Sequence, residues 1–422
     1  MKNIKICVIG LGYVGLPLAC EFGKKFPTLG YDKDKNRITN LKAGIDETLE
    51  VTTNQLKKVS KINFTCKIAD AKDCNYFIVT VPTPITNNKK PDLRLIKRAT
   101  IDIAKILKSN DIVIYESTFY PGTVEELCVP LLEKYSNLKY NRDFYCGYSP
   151  ERINPGDKIH TIRKIIKITS GSNAKTANKV DYLYNQIIDA GTYKAESIKV
   201  AEAAKVIENI QRDLNIALTN ELAIVFDKMD INTSDVLNAA KTKWNFHNYT
   251  PGFVGGHCIG VDPYYLTYAA IKRGFIPKVI LSGRSINENV PNFFIKKILI
   301  KCRLKEIKLK GAKVLVMGYT FKENCPDTRN TKVYDFTKKL ISKNLKVDIT
   351  DPYLINQKVK IPSGTKIINS PLKNHYDIIV MAVPHKVFLK LGTKVILSYA
   401  KKNSVICDVK NVLNRDIVDV SL

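Results

Sequence analysis

Hydrophobic positions along this chain fall into short continuous runs alternating with longer stretches of helical spacing. Ile4-Lys5-Ile6-Cys7-Val8-Ile9 is β-prone and ends directly in Gly10. Val14, Leu16, Leu18, Ala19 and Phe22 then recur as on one face of a helix. Thr28 to Tyr31 predicts a second strand ending at Asp32, and Tyr76 to Val81 and Asp111 to Tyr115 predict two more. Apolar runs interleaved with helices predict parallel strands buried on both faces. From about Glu196 to Met229 no Gly or Pro interrupts a helical pattern through Ala201, Ala204, Ile207, Leu214, Leu218, Leu222 and Val225, which predicts one long helix.

The last third repeats the first. Lys313 to Gly318 parallels Lys5 to Gly10, Val347 to Asp351 parallels the strand ending at Asp32, and Asp377 to Pro384 parallels Tyr76 to Pro82. The fold class expected is α/β: two Rossmann-like, doubly wound parallel-sheet domains joined by a long central helix and a helical dimerisation region. The second copy lacks the glycine triplet and is not expected to hold a dinucleotide in the same way.

Bulk properties narrow the function classes. The 422 residues, 45% hydrophobic and 25% charged, suit two or three soluble domains. The longest apolar runs, such as Ile378 to Val383, are far short of the roughly 20 residues that span a bilayer. Lys2 and Lys5 before an apolar stretch imitate a secretory signal, but Gly10, Gly12, Gly15 and Pro17 interrupt it, so no leader and a cytoplasmic location are expected. Ten cysteines without a CxxC pair read as reduced thiols, not a disulfide framework. The net charge of +27 is spread evenly, with no basic stripe. It suits attraction of an anionic substrate better than nucleic-acid binding, and no nucleic-acid or membrane partner is expected.

Gly10-Leu11-Gly12-Tyr13-Val14-Gly15 lies between a predicted strand and a predicted helix. The first glycine permits the turn, the second lets a pyrophosphate approach, and the third lets helix and strand pack closely. Asp32, at the end of the second strand, can accept from ribose hydroxyls and repel a 2′-phosphate, favouring NAD; Arg37 weakens that preference slightly. Thr83 and Thr118 follow later strands of the same sheet and are candidate cofactor or water contacts, with plain turn chemistry an equal reading for Thr83. Pro251 to Pro263 places Cys258 among glycines, with Asp262 four residues on. A nucleophilic thiol and a structural cysteine in a glycine-rich turn both fit that spacing. Adjacent His257 lacks further ligands at usable spacing, so no metal is expected. Lys205 and Asn209 share a helix face, as a pair donating to an oxyanion or as a solvated stripe.

With these residues in order, the chain resembles the UDP-glucose/GDP-mannose dehydrogenase family over essentially its whole length. The resemblance rests on GLGYVGLPLA, the Asp32 strand end, VPTP, EST, SPERINPGD, AKVIENIQRDLNIALTNE, GGHCIGVD and GYTFKENCPDTRN. It implies an NAD-binding domain over 1–192, a central helical dimerisation domain with the cysteine loop over 193–300, and a UDP-sugar-binding domain over 301–422. It implies a homodimer or higher homo-oligomer, two NAD reductions per sugar, and a role in making surface-polysaccharide precursors.

The same resemblance assigns roles. Cys258 matches the nucleophile, and Lys205 and Asn209 the oxyanion donors. Asp262 assists the thiol or orients water, Glu151 handles the hydrolytic water, and Thr118 positions it. Gly10, Gly12, Tyr13, Val14, Gly15, Asp32, Arg37, Thr83 and Thr118 fall on the cofactor side. Lys322 and Arg329 match basic residues that contact the nucleotide sugar, Arg329 being counted with the cofactor contacts, and Arg152 with those of the sugar.

The chain also departs from the UDP-glucose pattern. Pro155 stands where a second acid is expected, His257 precedes the cysteine in place of Ser or Pro, and no arginine for a partner's sugar pocket lies between Trp244 and Thr250. His257, Tyr264 and Tyr265 resemble the branch acting on UDP-N-acetylhexosamines. UDP-N-acetylglucosamine or UDP-N-acetylgalactosamine is therefore the expected substrate, with the C4 epimer open. UDP-glucose or UDP-N-acetylmannosamine oxidation is the nearest alternative, and a two-electron β-hydroxyacid dehydrogenase a more distant one. The whole expectation requires the Cys258 sulfur to reach the nicotinamide ring held by the first α/β unit.

Overall fold

The computed structural model describes residues 3–86, 88–153, 159, 161–354 and 359–422. Pro155 lies outside the described residues. The chain divides into two compact units, residues 1–208 with 264–275 and residues 209–263 with 276–422.

In the first unit β1 (Ile6–Ile9), β2 (Thr28–Tyr31), β3 (Ile62–Thr65), β4 (Tyr76–Val79), β5 (Ile112–Tyr115) and β6 (Tyr145–Tyr148) form one sheet in the order β3-β2-β1-β4-β5-β6. Every pairing in it is parallel. The reason is legible in the side-chain alternation. Cys7, Ile9, Phe77, Val79, Val113 and Tyr115 pack on one face with Ile96, Ile103 and Leu132 of covering helices. Ile6, Val8, Tyr76, Ile78, Ile112 and Ile114 pack on the other with Leu16, Phe22, Leu183 and Tyr184. A strand covered on both faces needs apolar residues at successive positions, which is why these runs do not alternate with polar ones. β7 (Lys167–Thr169) and β8 (Thr192–Lys194) pair separately.

The second unit repeats the plan with β9 (Lys313–Met317), β10 (Lys346–Thr350), β11 (Lys366–Ile367), β12 (Tyr376–Met381), β13 (Ala400–Asp408) and β14 (Val420–Ser421), ordered β11-β10-β9-β12-β13-β14. Val314, Val316, Ile378 and Val380 face Phe294, Ile298 and Phe336, while Leu315, Met317, Ile379 and Met381 face Phe388 and Ile396. The internal repeat read from the sequence is thus two sheets of identical strand order. The uninterrupted helix Ile198–Lys228 carries the chain from one unit into the other.

The two copies differ where a dinucleotide would bind. Gly10 and Gly318 both take left-handed φ, 94° and 89°, at the ends of β1 and β9. In each copy the next amide donates to the acid ending the neighbouring strand: Leu11 N to Asp32 Oδ2 at 2.9 Å, and Tyr319 N to Asp351 Oδ2 at 2.6 Å. Asp32 stays partly open, whereas Asp351 is buried beneath His385, whose Nε2 lies 3.0 Å from Asp351 Oδ2. The second acid is consumed inside the protein. Among the described residues no helix is long and apolar enough to cross a membrane.

Candidate active site

The turn after β1 has the form a pyrophosphate needs. A Cβ on Gly12 would meet nothing within 4 Å, so that side of the backbone is open. A Cβ on Gly15 would lie 1.8 Å from the Gly10 carbonyl oxygen and 2.4 Å from Thr80 Oγ1, so only glycine lets the helix Gly15–Gly23 start against the strand. Tyr13 and Val14 are half-buried at that helix entry. Asp32 keeps its carboxylate at the end of β2, with Oδ1 accepting from Asp34 N at 3.0 Å. These features fit a dinucleotide: an open glycine, a helix start and an acid for ribose hydroxyls.

Arg37 is buried, and its Nε and Nη2 donate to the Leu11 carbonyl at 2.9 and 2.8 Å while Nη2 pairs with Asp46 at 2.8 Å. It braces the glycine turn from behind. Its third guanidinium nitrogen, Nη1, is buried without a hydrogen-bond partner among the described residues. The Tyr265 side chain is fully buried, and its hydroxyl donates to the Thr83 and Pro84 carbonyls at 2.9 and 3.1 Å, holding the loop after β4. Tyr264 is buried beside it, with the Lys89 ammonium 5.2 Å from its ring centroid. Ser117 ties the neighbouring loop to the Val81 carbonyl at 2.6 Å, leaving Thr118 half-exposed.

Glu151 follows β6 and curls back on its own backbone: Oε1 accepts from Arg152 N at 2.6 Å and Ile153 N at 2.7 Å. Arg152 is held by the Ile166 carbonyl at 2.8 Å and by Glu208 at 2.8 Å. Lys205 is buried on the long helix, one turn after Glu202. Glu202 accepts from Gly122 N at 2.5 Å and Val124 N at 2.9 Å, and so fixes the segment that follows Thr118. Burial pushes its carboxyl from the ordinary 4.5 up to about 8, against the pull of those two amides. A raised folded-state value means the folded chain holds more protons than the unfolded one between these limits, so this group's contribution to stability is lost as pH rises from 4.5 to about 8. Urea midpoints measured across that range are expected to fall more steeply for the natural protein than for Glu202→Gln, whose amide does not titrate.

The cysteine loop belongs to the second unit. Asn220 donates to the Gly252 carbonyl at 3.1 Å and accepts from Gly252 N at 2.8 Å, clasping the start of the loop. Asn287 and Asp213 back it up at 2.8 Å each, and Asp213 pairs with the buried Arg284 at 2.6 Å. Gly255 and Gly256 are required by close approach: a Cβ on the first would meet the Asn330 carbonyl at 2.6 Å, and on the second, at φ 87°, the Phe321 ring at 2.6 Å. The Cys258 carbonyl accepts from Val261 N at 3.0 Å and Asp262 N at 2.8 Å, a turn that leads into the helix Asp262–Lys272. Asp262 is 1% exposed, and its Oδ2 accepts from Asn209 Nδ2 at 2.6 Å. The structure therefore brings Asn209, Asp262 and the Cys258 turn together.

Exposure separates this thiol from eight of the other nine. Eight of the ten cysteines are buried, and burial pushes Cys20 and Cys128 up to about 12, far from a thiolate at neutral pH. Only Cys66 and Cys258 are half-buried, and Cys66 sits just past the edge strand β3. His257 places its Nδ1 3.5 Å from both Arg329 Nη2 and Asp327 Oδ2, and Arg329 Nε is 3.0 Å from both oxygens of Asp327. A cleft at the ends of β9 and β12, where the strand order reverses, is lined by Thr320, Phe321, Lys322, Ala382, Val383 and Lys410. Burial holds the Lys410 ammonium below its usual value, Glu323 opposing. Among the described residues no group of three or more His, Cys, Asp or Glu is arranged to hold a metal.

Lys167, Glu116, Glu202 and Lys410 were not singled out for chemistry from the sequence. Lys167 did leave a signal: a charge inside Ile165-Ile166-Lys167-Ile168 is out of place in a buried strand unless it is paired.

Comparison with known proteins finds three matching family segments along the chain. Residues 4–188 match the NAD binding domain of the UDP-glucose/GDP-mannose dehydrogenase family, 199–289 its central domain, and 315–415 its UDP binding domain. The chain is 53% identical to a UDP-N-acetyl-D-glucosamine 6-dehydrogenase of Pseudomonas aeruginosa, covering 100% of both chains. It is 51% identical to the enzyme of that name from Salmonella typhi, over 100% of this chain and 99% of that one. Among solved structures, a UDP-D-ManNAc dehydrogenase of Pyrococcus horikoshii superposes with a TM-score of 0.89 at 30% identity, over 98% of this chain and 96% of the other.

Proposed function

The chain belongs to the UDP-glucose/GDP-mannose dehydrogenase family and is an NAD-dependent nucleotide-sugar dehydrogenase, and from that premise we propose that it oxidises the C6 alcohol of UDP-N-acetylglucosamine to the uronic acid through a thioester on Cys258. The observation that carries this reading is the Cys258 turn. Its one partly open thiol precedes Asp262, whose carboxylate is bound to Asn209, in a chain that also carries a dinucleotide turn.

Gly12 and Asp32 would hold NAD, which when bound would serve as hydride acceptor twice in each cycle. The remaining steps fall to side chains. Oxidation of the alcohol gives an aldehyde, and the Cys258 sulfur adds to its carbon, so the reactive carbonyl stays on the protein. Lys205 and the second N–H of the Asn209 amide donate to the oxygen that becomes negative. Removal of a second hydride from the thiohemiacetal leaves the thioester. Water then bonds to the carbonyl carbon while Glu151 takes its proton; the carbon–sulfur bond breaks, the acid departs, and the thiolate recovers a proton. Asp262 keeps Asn209 in place, and Thr118 orients the water.

His257, held between Asp327, Arg329 and Phe321, and Lys322 in the cleft suit the nucleotide-sugar side. The names of the two relatives above 50% identity favour the gluco epimer. We extend the proposal to three domains over 1–192, 193–300 and 301–422, a homodimer or larger homo-oligomer, a cytoplasmic site of action and supply of uronic acids for surface polysaccharide. NADH production with UDP-glucose, UDP-N-acetylglucosamine, UDP-N-acetylgalactosamine and UDP-N-acetylmannosamine side by side tests the substrate. UDP-N-acetylglucosamine is expected to give the highest kcat/KM, by at least about tenfold over UDP-glucose, the scale of about 1.4 kcal/mol in the transition state. Equal or better use of UDP-glucose rejects the assignment.

A further inference from the structure

A buried charge cluster lies against Glu151. Lys167, on β7, is 3% exposed, and its ammonium is 2.8 Å from Glu116 Oε2 and 3.2 Å from Glu151 Oε2. Tyr184 donates its hydroxyl to Glu116 Oε1, and its ring centroid is 5.4 Å from the Lys167 ammonium. Burial pushes Glu116 up to about 7 even beside that ammonium, whereas Lys167 is raised because two carboxylates outweigh its burial. A buried ammonium needs a partner, but one carboxylate would suffice for stability, and an ion pair at depth gains little over apolar packing. Lys167 reaches past the deep acid to a second one.

That second acid has an uneven environment. Glu151 Oε1 already accepts from two backbone amides at 2.6 and 2.7 Å, which fills its two acceptor directions. Oε2 accepts from Lys167, and no other donor among the described residues reaches it. We propose that Lys167, buttressed by Glu116 and Tyr184, is a positioning residue that sets the Glu151 carboxylate with Oε2 turned to the water that hydrolyses the thioester. Lys167 touches neither substrate nor cofactor in this role, and the proposal rests on Glu151 handling that water.

The test separates product release from oxidation. In Lys167→Met the first turnover is expected to deliver its full two NADH per active site, with unchanged KM for NAD. Steady-state turnover is expected to drop about ten- to hundredfold, less than the ~10²–10⁴-fold effect of losing a general base itself. Sugar-linked protein, read by intact-mass spectrometry after acid quench, is expected to accumulate on Cys258. Lys167→Arg, which keeps the charge, is expected to recover most of the rate.

A burst and a steady state slowed in parallel, without adduct, would mean a merely structural lysine and overturn the proposal, as would an unchanged rate. If Lys167→Met does not fold, Glu116→Gln provides the same reading: adduct accumulation supports the positioning role and its absence rejects it. Glu151→Gln serves as the control. Adduct with Glu151→Gln but not with Lys167→Met removes Lys167 from the mechanism and leaves Glu151 in it. Undiminished release by Glu151→Gln removes both.

Discussion

Serine in place of Cys258 is expected to lower steady-state NADH production by on the order of 10³-fold or more, the scale at which loss of a covalent nucleophile acts. The exchange is nearly isosteric, and the turn is set by backbone bonds from Val261 N and Asp262 N to the Cys258 carbonyl, so melting temperature and NAD affinity are expected to stay unchanged. A hydroxyl is a far weaker nucleophile than a thiol near neutral pH, so capture of the aldehyde fails and the second oxidation loses its tethered substrate. The buried cysteines provide the contrast: Cys128→Ser, at a thiol pushed up to about 12 by burial, is expected to disturb the core and leave the chemistry intact. Full turnover by the Cys258 variant would remove the thiol from the mechanism.

The next largest effect is expected at Gly12. Gly12→Val adds carbon where the structure has open space, so the fold is expected to survive while NAD binding weakens at least about 100-fold, ~2.7 kcal/mol, because the pyrophosphate must approach that backbone. Gly15→Ala is expected to behave in the opposite sense. Its methyl would be driven to 1.8 Å from the Gly10 carbonyl, so the helix cannot start against the strand and the loss appears in folding itself. Titration calorimetry with NAD and a thermal melt distinguish the two. A Gly12→Val protein with natural affinity would place the dinucleotide elsewhere.

The contrast between these glycines also marks what a sequence can reveal. Gly10, Gly12, Gly15 and Asp32 lie within about one strand–helix–strand unit, so their spacing alone carries their meaning. The two sheets were legible for the same reason, since Ile6 to Ile9 and Ile378 to Met381 are apolar at successive positions. Strands at or toward the edges were not: β11 has two residues, and β13 runs through Lys401, Lys402 and Asn403. The spacing shows Gly255 and Gly256 near Cys258, but the need for them comes from Asn330 and Phe321, some seventy residues away. Arg37 and Tyr265 also bond inside the protein, to the Leu11, Thr83 and Pro84 carbonyls, and no local pattern announces which carbonyl a side chain will meet. Lys167 belongs to the same class, because its partners Glu116 and Glu151 come from other strand ends.

Electron counting distinguishes a tethered two-step oxidation from every single-step dehydrogenase that shares the dinucleotide fold. With limiting UDP-N-acetylglucosamine and excess NAD, the NADH formed per sugar consumed, measured by absorbance against chromatographic quantitation of the sugar, is expected to be two, with the uronic acid as sole product. A ratio of one, with an aldehyde or ketone released, would contradict the assignment of Cys258 and the reaction built on it.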